Sequence, residues 1–99
     1  MILINVLNSY RNVVAVCDSD LLGKKVESGK FQLDLTNSFF RGEGFEEEKA
    51  IEIMKKMSRE DATFNIVGKN SVDAALKAGI IIEEGIATIQ GIPFALVLL

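Results

Sequence analysis

The chain closes on Ile92-Pro93-Phe94-Ala95-Leu96-Val97-Leu98-Leu99, eight residues without a polar side chain. Read as a strand, Ile92, Phe94, Leu96 and Leu98 share one face and Pro93, Ala95, Val97 and Leu99 the other, so both faces are apolar. A strand of that kind is normally central in a sheet and covered on both sides. Pro93 has no N–H to donate and is tolerated only near the strand's beginning. The run is too short to cross a bilayer as a helix. It therefore predicts a sheet with a layer on each face, and the rest of the sequence must supply the other strands and the cover.

Upstream, Ile86–Gln90 is a second strand-like run, set off by the turn Glu83-Glu84-Gly85. Before it, Val72, Ala75, Leu76 and Gly79 fall at i, i+3, i+4 and i+7, which predicts a helix with Asn70 and Asp73 as its capping pair and Gly79 as its C′ residue. Ser58-Arg59-Glu60-Asp61 is close to a capping box and predicts a short helix through Val67. Glu46–Met57 is the clearest helix. Ala50, Ile51, Met54 and Met57 line one side, Glu46-Glu47-Glu48 sits at the end the dipole makes positive, and Lys55 and Lys56 lie near the other end. At the start, Ile2–Leu7 and Val13–Cys17 flank the turn residues Asn8–Asn12 and read as a hairpin. Asp18-Ser19-Asp20 stands as an N-cap before Leu21-Leu22, with Gly23 limiting that helix to one turn. Phe31–Leu35 alternates apolar and polar, a third strand with one wet face. The expected architecture is a single compact α+β domain over residues 1–99: an N-terminal β-hairpin plus a third strand, three short-to-medium helices, and C-terminal strands completing the sheet.

Composition narrows the chemistry. Ninety-nine residues, 48% apolar and 25% charged, are enough for one folded core without disulfides or metal. There is no histidine and no tryptophan, and Cys17 is the lone cysteine. Without imidazole there is no Ser-His-Asp triad, no Cys-His pair and no His-containing zinc site. The net charge of −3, from eleven basic and fourteen acidic residues, argues against a protein that coats nucleic acid. Met1-Ile2-Leu3-Ile4-Asn5 lacks a basic n-region, so no export signal is read and a cytoplasmic location is expected, with no membrane partner.

Four blocks are distinctive in combination: Val14-Ala15-Val16-Cys17-Asp18-Ser19-Asp20-Leu21-Leu22-Gly23-Lys24-Lys25, then Phe39-Phe40-Arg41-Gly42-Glu43, then Ala62-Thr63-Phe64-Asn65-Ile66-Val67-Gly68, and finally Gly91-Ile92-Pro93-Phe94-Ala95. In this order, spanning nearly all of the chain, they resemble the small archaeal family known as domain of unknown function 424. The resemblance implies an archaeal cytosolic protein and brings no catalytic residues. It also marks a departure, since the family pattern has His and Gln where this chain has Phe94 and Leu96.

Three constellations remain. Asp18 and Asp20 end an apolar strand, where a pair of carboxylates can hold Mg²⁺ for phosphoryl transfer; the simpler expectation is that one aspartate caps the Leu21-Leu22 turn and the other faces water. Cys17 lies beside two carboxylates that oppose thiolate formation, and reads as a buried strand residue. Gly68-Lys69-Asn70-Ser71 is not a P-loop, because Thr63 stands where its first glycine belongs. It does resemble the second half of a helix-hairpin-helix, with Ile66 in place of the motif's first glycine, in which amides at a helix N-terminus hold a phosphate. The sequence expectation is thus a non-enzymatic binding module with no catalytic residue, metal or cofactor, associated with RNA or a ribonucleoprotein through Lys24, Lys25, Gly68, Lys69 and Asn70. The alternatives are a Mg²⁺-dependent enzyme built on Asp18 and Asp20, and a protein-interaction or homodimer module.

Overall fold

The structure, a computed structural model, describes residues 1–36 and 38–98. In chain order the elements are β1 (Ile2–Leu7), β2 (Val13–Asp18), β3 (Lys25–Ser28), β4 (Phe31–Asp34), β5 (Glu43–Phe45), α1 (Glu47–Arg59), β6 (Thr63–Val67), α2 (Lys69–Ala78), β7 (Ala87–Ile89) and β8 (Ile92–Val97). One-turn 3-10 segments at Ser19–Leu21, Ser38–Phe40 and Glu83–Gly85 fill the corners. Six strands form one mixed sheet in the order β5-β1-β2-β6-β8-β7, and β3 and β4 pair as a separate hairpin. The expected α+β domain is present, with the N-terminal hairpin in register from Ile2↔Asp18 to Leu7↔Val13.

Two expectations are corrected. The segment read as a third helix, through Val67, is the strand β6, which pairs parallel with β2 and antiparallel with β8. Ser58–Asp61 does not start a helix but ends one. Asp61 takes a left-handed conformation, φ 60°, its N–H reaching Ser58 O at 3.1 Å and the Ala62 N–H reaching Met57 O at 3.1 Å, the two bonds that close a helix C-terminus. The same pair of bonds closes α2 at the predicted Gly79, φ 76°, from Gly79 to Leu76 and from Ile80 to Ala75. Serine and acidic residues occur at both ends of helices, so the local signal was ambiguous.

The second correction concerns β8. It lies one strand in from the edge and its two faces are covered unequally; Leu99 lies outside the described residues. One face of the sheet is sealed by α1 and α2, whose Ala50, Met54, Met57, Val72 and Ala75 pack on Ile2, Ile4, Val14, Val16, Phe64 and Ile66. On the other face Leu35 and Phe40 cover Ala15, Cys17 and Val67, and Asn5 fixes this cover by donating to Phe39 O at 2.9 Å. That second cover is partial. Leu96, on this face, remains 54% exposed, and Leu98, just past the end of β8, 72%.

Candidate functional site

The C-terminal ends of the parallel neighbours β2 and β6 bring Asp18 and Gly68 together. Asp18 does not cap the turn that follows it: its side chain makes no bond there and instead crosses to the head of α2. It accepts from the Asn70 N–H at 3.1 Å, the Ser71 N–H at 2.8 Å and the Ser71 hydroxyl at 2.7 Å. The carboxylate is buried, 5% exposed, and Ser71 is fully buried. Gly68 is the residue that admits this approach. A Cβ at position 68 would stand 2.5 Å from the Asp18 carboxyl carbon, and its φ of 111° is one that side-chain-bearing residues avoid. The expected Asn70–Asp73 capping pair is therefore replaced by a cap delivered from a strand 52 residues earlier in the chain. Free N–H groups at a helix head attract anions, and here an internal anion satisfies them.

The sequence-predicted site residues are consequently dispersed. Asp20 is exposed while Asp18 is turned inward, and among the described residues no group of three or more acidic, His or Cys side chains is placed to hold a metal. Lys69 and Asn70 are exposed at the head of α2, Gly68 is buried beneath them, and β6, a strand, replaces the first helix of the supposed helix-hairpin-helix. Lys24 is exposed at the start of the β3–β4 hairpin; Lys25 pairs with Glu27 at 3.6 Å and lies across the ladder from Asp34. Cys17 is fully buried, its sulfur 3.8 Å from Phe40 O; burial first, then Asp18 and Asp20, push its thiol up to about 11, which leaves it protonated at neutral pH.

What the sequence reading missed is the uncovered part of the sheet. Three hollows lie in file along β8. The first, about 150 Å³, sits between Phe31 and Ile89 and ends on Phe94. The second, about 270 Å³, is the cleft under the β3–β4 hairpin, floored by Leu33, Phe39, Phe40, Phe94 and Leu96. The third, about 290 Å³, wraps the end of β8 between the Ile80-Ile81-Ile82 segment and Leu96, Val97 and Leu98, with Ile80, Ile81 and Val97 packed on the helix-side core. Phe94 is shared by the first two and Leu96 by the last two, so they form one track. Phe31 and Ile82, at its two ends, are 71% and 67% exposed. Gln32, Asn65 and Asp34 supply a polar rim to the central cleft. Hydrogen bonds from the Thr36 hydroxyl and N–H hold the Asp34 carboxyl below its usual range, so this rim is anionic at neutral pH. The signal was present in the sequence, as an apolar face on a strand next to short edge elements, but an alternating pattern does not show which half of a face is covered.

A mixed six-stranded sheet with two helices on one face, and open apolar hollows on the other face and around the end of β8, defines a small α+β domain. The chain belongs to the archaeal family described as protein of unknown function, DUF424, whose profile matches residues 8–99. It is similar in fold to an uncharacterized conserved protein from Methanopyrus kandleri, known from a crystal structure, with a TM-score of 0.87 at 24% identity over 96% of this chain and 88% of that one. No curated protein matches the chain. No helix among the described residues is long and apolar enough to cross a membrane.

Proposed function

We propose that this chain is a non-catalytic binding module that holds an apolar segment of a partner protein along β8. The observation that carries this reading is the linked track: three open hollows joined through Phe94 and Leu96. From Phe94 to Leu98 a strand advances about 13 Å. An elongated row of hollows of that length suits successive apolar side chains of a polypeptide better than one compact small molecule, which is held in a single enclosed cavity. Large exposed apolar side chains gathered in one stretch are also the usual mark of an interaction surface. The RNA reading at Gly68-Lys69-Asn70 loses its main donors, since a phosphate there must displace the buried Asp18 carboxylate from the amides. The magnesium reading loses Asp18 to the same contact.

Photocrosslinking tests the proposal. A benzophenone amino acid placed at Leu96 should give a discrete protein adduct in lysate that persists after ribonuclease and is suppressed by Leu98→Asp or Ile82→Asp. The same probe at Tyr10, exposed on the β1–β2 turn and outside the three hollows, should not give that adduct. Indistinguishable adducts from both positions would remove the track's claim, and an adduct of twice the chain mass would assign it to a second copy of this chain.

A further inference from the structure

The β3–β4 hairpin leaves one strand edge open, and that edge borders the central cleft. Gly29-Lys30 is a tight turn with Gly29 at φ 59°, so Ser28 and Phe31 close it as a hydrogen-bonded pair. Bonded and non-bonded pairs alternate along an antiparallel ladder, so Val26↔Leu33 is bonded while Glu27↔Gln32 and Lys25↔Asp34 are not. Two contacts fix the same phase independently. The Leu35 N–H reaches Lys24 O at 2.8 Å, one step beyond the Lys25↔Asp34 pair, and Glu27 O, turned away from β4, accepts from the Gln90 side chain. Gln32 and Asp34 therefore direct their main-chain N–H and C=O away from β3, on the side where both residues line the cleft. Leu33, between them, packs down on the second core. Natural edge strands are commonly blunted by lysine or proline, and Phe31-Gln32-Leu33-Asp34 has neither.

We infer that an extended segment of a partner protein adds to β4 as an antiparallel strand, with apolar side chains at alternate positions and a basic one opposite Asp34. In such a pairing the residues bonded to Gln32 and Asp34 carry their side chains on the solvent side, and the residues between them point towards the sheet, as Leu33 does. There they meet Phe94 and Leu96, so one strand satisfies the open main-chain groups and covers the apolar floor together. Asp34 supplies the charge complement. Both Thr36 bonds fall on its Oδ1, and Lys25, across the ladder, pairs with Glu27, so Oδ2 is open to a cation. A cation directly opposite a carboxylate across a strand pair is stabilising. A second copy cannot offer its own β4 here, because the lower side of that strand is already packed on its own core. The inference uses the central hollow alone, and rests on the reading above only in taking the ligand to be a partner's segment.

The test is a fluorescence-anisotropy titration of the full chain with a labelled peptide, Thr-Val-Arg-Val-Thr-Val-Thr, whose arginine and central threonine would bond to Asp34 and Gln32 while its valines face the floor. N-methylation of the arginine and the central threonine should weaken binding about 30-fold, the loss of two main-chain hydrogen bonds. N-methylation of the two valines flanking the arginine, whose N–H groups point away from β4, should leave binding unchanged. Glutamate in place of the arginine should weaken it. Gln32→Pro removes the outward N–H without touching the ladder, so it should melt near the parent yet bind about fivefold more weakly; Glu27→Pro, its counterpart on β3, should bind like the parent. The inference is overturned if the parent does not bind the peptide, if the two methylated peptides bind alike, or if folded Gln32→Pro binds like the parent. A dimer in light scattering that the peptide dissociates would give the edge to a second copy and overturn it too. The Leu96 photoadduct separates the two readings. Undiminished in Gln32→Pro, it keeps the track and strikes strand addition; absent from the parent while the methylation difference holds, it removes the track and keeps the β4 edge.

Discussion

Replacing Asp18 with alanine deletes the acceptor of three hydrogen bonds at the head of α2. Hydrogen bonds to a charged group contribute about 1.5–3 kcal/mol each, and a buried donor left without an acceptor costs about 1–3 kcal/mol. Asn70 is exposed, so water can replace the carboxylate at its amide and that loss is small. Ser71 is fully buried, and both its N–H and its hydroxyl would be stranded. The expected cost is about 3–4 kcal/mol, a large part of the roughly 5–15 kcal/mol that stabilises a domain of this kind. Urea denaturation should show the midpoint falling with the slope unchanged, and the melting temperature should drop by at least about 12 °C. Asp18→Asn keeps one acceptor oxygen and should lose about half as much. Ser71→Ala alone should cost about 1 kcal/mol, and its effect should shrink in the Asp18→Ala background because the two groups share a bond. If Asp18→Ala costs about 1 kcal/mol or less, the value for an ordinary exposed N-cap, the carboxylate is not the internal anion that locks β2 to α2.

Two further outcomes follow from the same corner of the fold. Gly68→Ala should destabilise strongly, because the new methyl meets the Asp18 carboxyl and the φ of 111° is strained; in the Asp18→Ala background the steric part should vanish while the backbone part persists, a coupling that a double-mutant cycle under urea would read. Cys17, its thiol pushed up to about 11 by burial, should resist iodoacetamide in the native protein at pH 8 and react on unfolding. Since the folded thiol holds its proton above the pH at which the unfolded one releases it, stability should be fully present below about pH 9 and decline as pH rises towards 11, a decline that Cys17→Ala should abolish.

The two helices were legible because their apolar residues recur at three and four positions, a spacing few other structures produce. Even their ends were nearly right, as Gly79 shows. Strands were less legible where pairing rather than composition makes them. Lys25-Val26-Glu27-Ser28 has one apolar residue, and becomes β3 only through its ladder with β4. Glu43-Gly44-Phe45 becomes β5 because Gly42 lets the chain lie against the Ile4 carbonyl, where a Cβ would come within 2.2 Å. Thr63–Val67 has the β-branched ends of a strand, yet an apparent cap before it pointed to a helix.

The sequence by itself determined the class of fold, the positions of α1 and α2, the N-terminal hairpin, the inert setting of Cys17 and the family. These follow from periodicity, composition and contiguous blocks, all of which are local properties of the chain. Tertiary structure alone decided what lies at the head of α2, and that decision moved the candidate site. Asp18 and Ser71 are 53 residues apart and meet only because β2 and β6 are parallel neighbours. It also decided that Leu96 and Leu98 face solvent although every residue of the run Ile92–Leu99 is apolar. Burial depends on how far the β3–β4 hairpin and the Ser38–Phe40 turn extend across the sheet, and the alternation within one strand carries no information about the reach of another element.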